Sequence, residues 1–345
     1  PLSDDGPGDW SRPGHFGLQW ATGYSFVGPI VERYTRTVVR TFEPIDGQVP
    51  KATQLARLDG FAFPENPSLA HGLSFDEIAI VGKSGSLPAW LVPGERGTWA
   101  IIIHGKGADR REGLRILPTL VREKLPVLLI SYQNDAVQLE DERNYYRYGL
   151  GEWPDLEAAV HYAIVHGAEN VVLVGYSMGG AIVARYLLVT KVAPKGAIIT
   201  SPWLQLVHNP GAIEVILGRM SLVIGYNGTQ KSKLNPEDLS RDLSVGNAYL
   251  EDPLVHDSIT PRTFFALQDN ANFLLNSEYS FPCPILLAHG TADNITKVAA
   301  SEKLAKQHPE NITLKLWQDL RHETHHEINK QEVIQFYINW ILNNS

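Results

Sequence analysis

The chain has 345 residues, of which 43% are hydrophobic and 20% charged, with a formal net charge of −8. This is the composition of a globular protein, long enough for one large α/β domain with insertions or for two small domains. An acidic balance without a basic run argues against nucleic acid as a partner, and no apolar run approaches the roughly 18–20 residues of a membrane span.

Cys283 is the one cysteine, so no intrachain disulfide forms and a reducing compartment is favoured, without export being excluded. It heads an apolar run and is expected as a buried thiol. The chain begins at Pro1 and carries methionine only at Met178 and Met220. A processed or truncated product is therefore expected, cytoplasmic or exported after processing.

In chain order, residues 1–70 read as an N-terminal arm and a helical segment. The first seventeen residues are rich in Gly, Pro and Asp. From Leu18 to Phe42 aromatic residues mix with Arg and Glu, which predicts a helix interrupted near Gly28-Pro29. Residues 71–200 read as the first part of an α/β core. A hairpin is expected from 78–81 and 89–92 around Gly85. Continuous apolar strands of the buried parallel type follow at 99–103, 127–130, 171–174 and 197–200, with helices at 114–124 and 154–166.

Residues 201–281 break the rhythm. About 80 residues separate two strands that a crossover would join in far fewer. Apolar residues at helical spacing, among them Ile216, Met220, Phe264 and Phe265, predict an inserted helical cap with an apolar face towards the ligand. Residues 282–345 complete the core with strands at 285–288 and 312–317 and a helix at 331–342. Alternating strands and helices predict an α/β class with a mostly parallel sheet covered on both faces.

The strand at 171–174 runs into Gly175-Tyr176-Ser177-Met178-Gly179, followed by a helix-forming stretch from Gly180 to Leu188. Strand, sharp turn and helix with a serine at the apex is the context of a nucleophile elbow, where glycines relieve crowding around a strained serine. A serine hydroxyl needs a base, and the base needs an orienting acid. Asp293 follows the strand at 285–288 and is the candidate acid. His322 follows the strand at 312–317 and is the candidate base, with His325 and His326 as close competitors. The oxyanion donors are expected from the backbone N–H of Met178 and, in the run His104-Gly105-Lys106-Gly107, from that of Lys106.

From about residue 78 to residue 342 the chain resembles the α/β-hydrolases, within the serine esterases and lipases. Its second half is similar to the monoacylglycerol lipase and lysophospholipase group. The matching pieces are Pro236-Glu237-Asp238-Leu239-Ser240-Arg241-Asp242, Asp252-Pro253-Leu254-Val255-His256, His289-Gly290-Thr291-Ala292-Asp293 and Leu320-Arg321-His322-Glu323. In that group the histidine before the glutamate is the base. The resemblance thus implies Ser177, Asp293 and His322 as the triad and a cap over an acyl-chain pocket. The first half, with Tyr146-Arg147-Tyr148-Gly149-Leu150-Gly151-Glu152-Trp153, looks more like another esterase branch, so a mosaic joined near residues 197–203 is expected.

The reading implied is a serine carboxylester hydrolase for a small acyl ester, such as a monoacylglycerol or lysophospholipid. It needs no cofactor and no metal, and peripheral contact with lipid surfaces is conceivable. A serine peptidase or an acyltransferase would use the same triad. Two remoter rivals are a zinc hydrolase on His322-Glu323-Thr324-His325-His326, which spells H-E-x-x-H, and a non-catalytic binding module.

Overall fold

The computed structural model describes residues 2–3, 16–20, 23–35, 37–47, 49–51, 54, 56–59, 66–83, 85–106, 108–133, 147–226, 228–231, 234–242, 245–246 and 258–344. Its centre is an eight-stranded sheet. The strands are β6 (Asp76–Gly82), β7 (Gly85–Val92), β8 (Thr98–Ile103), β9 (Val127–Ile130), β10 (Asn170–Tyr176), β11 (Gly196–Thr200), β14 (Ile285–Gly290) and β15 (Ile312–Trp317). Their spatial order is β15-β14-β11-β10-β8-β9-β7-β6. The β6–β7 hairpin and the β7–β9 pairing are antiparallel, and every other neighbouring pair is parallel.

Period-two alternation decides which residues face which layer. Ile101 and Ile103 of β8 pack with Leu173 of β10 beneath α3 (Trp153–Val165) and α4 (Met178–Thr190). Their neighbours Ala100 and Ile102 join Val172 and Val174, in the layer that also holds Ala70 of α1 (Pro67–His71), beneath α2 (Leu117–Arg122) and α8 (Lys330–Asn344). Because both faces are covered, the central strands are apolar along their whole length. A further helix, α7 (Val298–Gln307), covers β14 and β15 on the α3–α4 side. This is the layered α/β architecture expected from the sequence. The helix expected at 114–124 begins instead as a 3-10 helix, Arg110–Arg115, before α2. Cys283 is buried, as expected, and its desolvation pushes the thiol pKa up to about 12.

The N-terminal expectation requires correction. In place of a helix over 18–42 there are β2 (Phe16–Trp20), β3 (Gly23–Arg33) and β4 (Thr37–Gly47). With β1 (Leu2–Ser3) and β5 (Ala56–Asp59) they form a separate antiparallel sheet in the order β1-β4-β3-β2-β5. The β-branched Val27, Ile30, Val31, Thr37, Val38 and Val39, together with Gly23 and Gly28, oppose helix and favour extended chain. Pro29 falls at a register shift between Val27 and Ile30, where the ladder is already interrupted. Phe16, Leu18, Trp20 and Val27 make a small core of their own. Two parts of the expected loose arm, Leu2–Ser3 and Phe16-Gly17, are therefore strand, and residues 4–15 lie outside the described residues.

Between β11 and β14 the chain forms α5 (Ala212–Val223), a two-stranded ribbon of β12 (Gln230–Lys231) and β13 (Ser258–Ile259), and α6 (Pro261–Asn276). α6 buries Phe265, Ala266, Leu267, Ala271 and Leu274 and packs against α4, α5 and α7. Thus α6 is tied to the core, whereas α5 stands away with its apolar residues open to solvent.

Leu173 is fully buried in β10, while Val81 in β6 is 84% exposed. Leu173→Ala is expected to cost about 2–5 kcal/mol in denaturant unfolding. Val81→Ala is expected to change stability by less than about 0.5 kcal/mol.

Candidate active site

Ser177 stands between β10 and α4 with φ 49° and ψ −110°. A residue bearing a Cβ rarely occupies that region, so the strain must be held by its surroundings. Close backbone approach on either side supplies the hold. A Cβ on Gly175 would lie 2.6 Å from the Gly179 carbonyl oxygen, and one on Gly179 would lie 2.3 Å from that of Ile103. Both positions of G-x-S-x-G are therefore closed to any larger residue. The Ser177 N–H donates to the Thr200 carbonyl at 2.9 Å, which fastens the turn to the end of β11.

The loops after β14 and β15 come to the same edge of the sheet. His322 Nε2 lies 2.9 Å from Ser177 Oγ, and His322 Nδ1 lies 2.8 Å from Asp293 Oδ2. With its proton on Nδ1, the neutral ring donates to Asp293 and accepts from the serine hydroxyl. Asp293 Oδ1 accepts the N–H groups of Ile295 and Thr296 at 2.7 and 2.9 Å, while Oδ2 accepts the Thr296 hydroxyl at 2.8 Å. His289 Nε2 also reaches Oδ2 at 3.0 Å, its ring fixed by Ser301 at 2.8 Å. Burial alone would raise the Asp293 pKa. The His322 charge and the hydrogen bonds from His289 and His322 outweigh it and hold the carboxyl well below the usual carboxylate range. Burial likewise opposes charging of His322, but the Asp293 charge and hydrogen bond, helped by Glu323 and Glu112, raise its pKa above the ordinary 6.5.

The His322 loop has a brace that sequence reasoning assigned to the cap. The N–H of His322 donates to the Asp238 carbonyl at 3.3 Å and that of Glu323 to the Leu239 carbonyl at 2.8 Å. Ser240 Oγ donates to the His326 carbonyl at 3.1 Å, and Arg241 Nε meets the buried Glu327 carboxylate at 2.9 Å. Thr296 and this Asp238–Arg241 brace were not singled out from sequence, and His289 carried no assigned role there. The runs Pro236–Asp242 and His289–Asp293, quoted for their resemblance, carried the signal for the brace and for His289. The companion run 252–256 lies outside the described residues.

Met178 opens α4, where the first N–H groups have no helical partner. The second expected donor lies in the loop after β8. A Cβ on Gly105 would stand 3.5 Å from Ser177 Cβ, so this loop passes beside the nucleophile. The Gly105 N–H is taken by Glu112 Oε2 at 2.7 Å, leaving Lys106 as the next donor along the chain. His104, stacked on Tyr132 at 4.2 Å, donates to the Gly105 carbonyl at 2.9 Å and shapes the loop. The Lys106 side chain is half-buried, and desolvation lowers its ammonium pKa to about 8. Gly107 lies outside the described residues.

The four cap residues part company. Ile216 and Met220 are exposed on α5. Phe264 is half-buried and meets Phe265 edge-on. Phe265 is buried in the α5–α6 contact, with the Arg219 guanidinium 4.6 Å over its ring, so it joins the two helices rather than facing outwards. The H-E-x-x-H reading is contradicted. Both nitrogens of His322 are engaged by Ser177 and Asp293, and Thr324–His326 is a short 3-10 turn instead of the helix that motif needs. Among the described residues the group able to hold a metal is Glu112, His325 and His326, without His322.

The sequence profile described as serine aminopeptidase, S33, matches residues 153–329, just over half of the chain, and that of a domain of unknown function matches residues 9–59. An uncharacterised abhydrolase domain-containing protein of Dictyostelium discoideum is 30% identical over 199 residues, 55% of this chain and 21% of that protein. A monoacylglycerol lipase of Mycolicibacterium smegmatis is 27% identical over 175 residues, 50% of this chain and 61% of the lipase. The chain thus spans about a fifth and about three-fifths of the lengths of these relatives. The crystal structure of Paleococcus ferrophilus monoacylglycerol lipase matches with a TM-score of 0.64 at 22% identity, covering 75% of this chain and 99% of that one, a likeness of fold. The family match over residues 153–329 runs across the expected join at 197–203, and a mosaic is not shown.

The raised His322 pKa has a testable sign. A group that must be neutral to accept a proton is populated only above its pKa, so the acid limb of kcat/KM is expected to titrate above 6.5. In Asp293→Asn the opposing burial prevails. The limb is then expected to move to lower pH while kcat falls steeply, measured as full pH–rate profiles of both proteins.

Proposed function

The chain belongs to the serine aminopeptidase S33 family of α/β-hydrolases, and from that premise we propose that it is a carboxylic ester hydrolase working through an acyl-enzyme on Ser177. The observation that carries this reading is the continuous contact from Ser177 Oγ to His322 to Asp293, at 2.9 and 2.8 Å. His322 takes the serine proton as Oγ attacks the acyl carbonyl. Asp293 keeps the ring in the required tautomer and stabilises its charged form. The N–H groups of Met178 and Lys106 receive the oxyanion. His322 then protonates the departing alcohol, and water, activated by the same ring, releases the acid.

An acyl ester is favoured over a peptide by two features. One is the similarity to a monoacylglycerol lipase. The other is the apolar stripe of α5, where Ile213, Ile216, Leu217, Met220 and Val223 are each 58–86% exposed. Their spacing places them on one helical face. A face of that kind suits an amphiphilic substrate, a monoacylglycerol or lysophospholipid, presented at a lipid surface. The serine aminopeptidase description of the family keeps peptide hydrolysis as the competing chemistry.

Turnover of p-nitrophenyl esters from acetate to palmitate, beside a monoacylglycerol and an aminoacyl anilide, tests the proposal. Esters are expected to exceed the anilide, and Ser177→Ala is expected to lower ester turnover about a millionfold. Ester turnover that survives Ser177→Ala, or a preference for the anilide, would overturn it.

A further inference from the structure

Beneath the oxyanion loop and beside the His322 loop lies a second group of chemically capable side chains that the proposed ester chemistry does not use. Glu112, His325 and His326 are all buried, at 3–5% exposure. One ligand atom from each lies within 4.8 Å of the others. Glu112 comes from the 3-10 helix after β8, whereas the histidines come from the turn after β15, 213 residues away for the Glu112–His325 pair.

We propose that Glu112, His325 and His326 form a buried site for a divalent transition-metal ion of the zinc class.

Four observations point to a ligand rather than to packing. First, His326 Nε2 is buried with no hydrogen-bond partner among the described residues. Leaving a buried polar nitrogen unpaired is costly, so the open Nε2 is an arrangement that needs a reason. Second, His326 Nδ1 is held by the Glu323 carboxylate, which fixes the ring and leaves Nε2 for a ligand. A carboxylate behind a metal-binding imidazole is a recurrent support of zinc sites. Third, His325 is clamped by stacking on Tyr176 at 4.0 Å, and its Nε2 is the ring nitrogen that faces Glu112 Oε1, at 3.4 Å. Fourth, two imidazoles and one carboxylate are a donor set that zinc takes, with a fourth position left for water. Bonds of about 2.0–2.2 Å place tetrahedral ligand atoms roughly 3.4 Å apart, so the group, now within 4.8 Å, would contract around an ion.

The site would join two functional loops. Glu112 already holds the Gly105 N–H of the oxyanion loop, and His325 follows three residues after His322. An ion between them would fix the distance from the oxyanion loop to the base. Glu112 and Glu323 bring negative charge to the group, set against Arg115 and Lys330.

The test is metal retention, which is read without any enzyme activity and so is independent of the ester reading. The full chain is incubated with zinc, desalted and analysed for metal. One equivalent is expected in the wild type and in His322→Ala, with an affinity loss of tenfold or more in His325→Leu and in His326→Asn. Glu323→Gln is expected to weaken affinity about tenfold, as loss of a supporting carboxylate does. No stoichiometric zinc in the wild type would overturn the proposal. So would loss in His322→Ala, or retention by a folded His325→Leu/His326→Asn double variant. Should the variants unfold, the cobalt(II)-loaded wild type decides. Visible bands of a low-coordinate imidazole complex support the site, and the spectrum of the hydrated ion overturns it.

Discussion

The backbone strain at Ser177 is the constraint on which the rest depends. A serine held at φ 49° points its hydroxyl away from the sheet and starts α4 in the same step. The conformation survives because the chain has nowhere to relax. Gly175 and Gly179 pack backbone against backbone, and Thr200 captures the Ser177 N–H. Strand β10 is buried on both faces in the middle of the sheet, so the turn inherits the rigidity of the core. Strain at such a site is maintained by packing elsewhere.

Given a fixed nucleophile, the other two groups arrive from loops, and hydrogen bonds fix them there. Asp293 accepts from two backbone N–H groups, a threonine and two histidines, which leaves it one orientation and one charge state. His322 is pinned from behind by Asp238 and Leu239, which belong to the insertion between β11 and β14. The insertion therefore has two parts with different physics. The stretch around Asp238–Arg241 and helix α6 are bonded to the core. Helix α5 exposes an apolar stripe that the core does not cover. The first part serves geometry, and the second is free to serve substrate choice.

How much of this was legible in the sequence follows from the range of each interaction. The elbow is local: strand, glycines, serine and helix fall within about twenty residues, and each has one physical reason to be there. The order of Ser177, Asp293 and His322 along the chain, each after an apolar strand, reads the same way because parallel strands deliver their following loops to one edge. The N-terminal segment misled because aromatic residues among charges were weighed as one face of a helix. Its β-branched residues and the glycines at 23 and 28 were the better guide. The exchange between His322 and the Asp238 brace, and the meeting of Glu112 with His325 and His326, lie beyond local pattern. They join positions more than 80 residues apart that only the sheet topology brings together. The literal H-E-x-x-H run shows the same limit. Its spacing suggested a helix, whereas the fold spends its first histidine on Ser177 and turns the others towards Glu112.

The central claim is that Ser177 is the activated nucleophile of this hydrolase, with His322 as its base. It is tested most directly by reacting the folded chain with a fluorophosphonate and mapping the adduct by peptide mass spectrometry. The account predicts one adduct, on Ser177, formed far more slowly in His322→Ala. Labelling at another serine, or equal labelling of Ser177 in His322→Ala and the wild type, would contradict it.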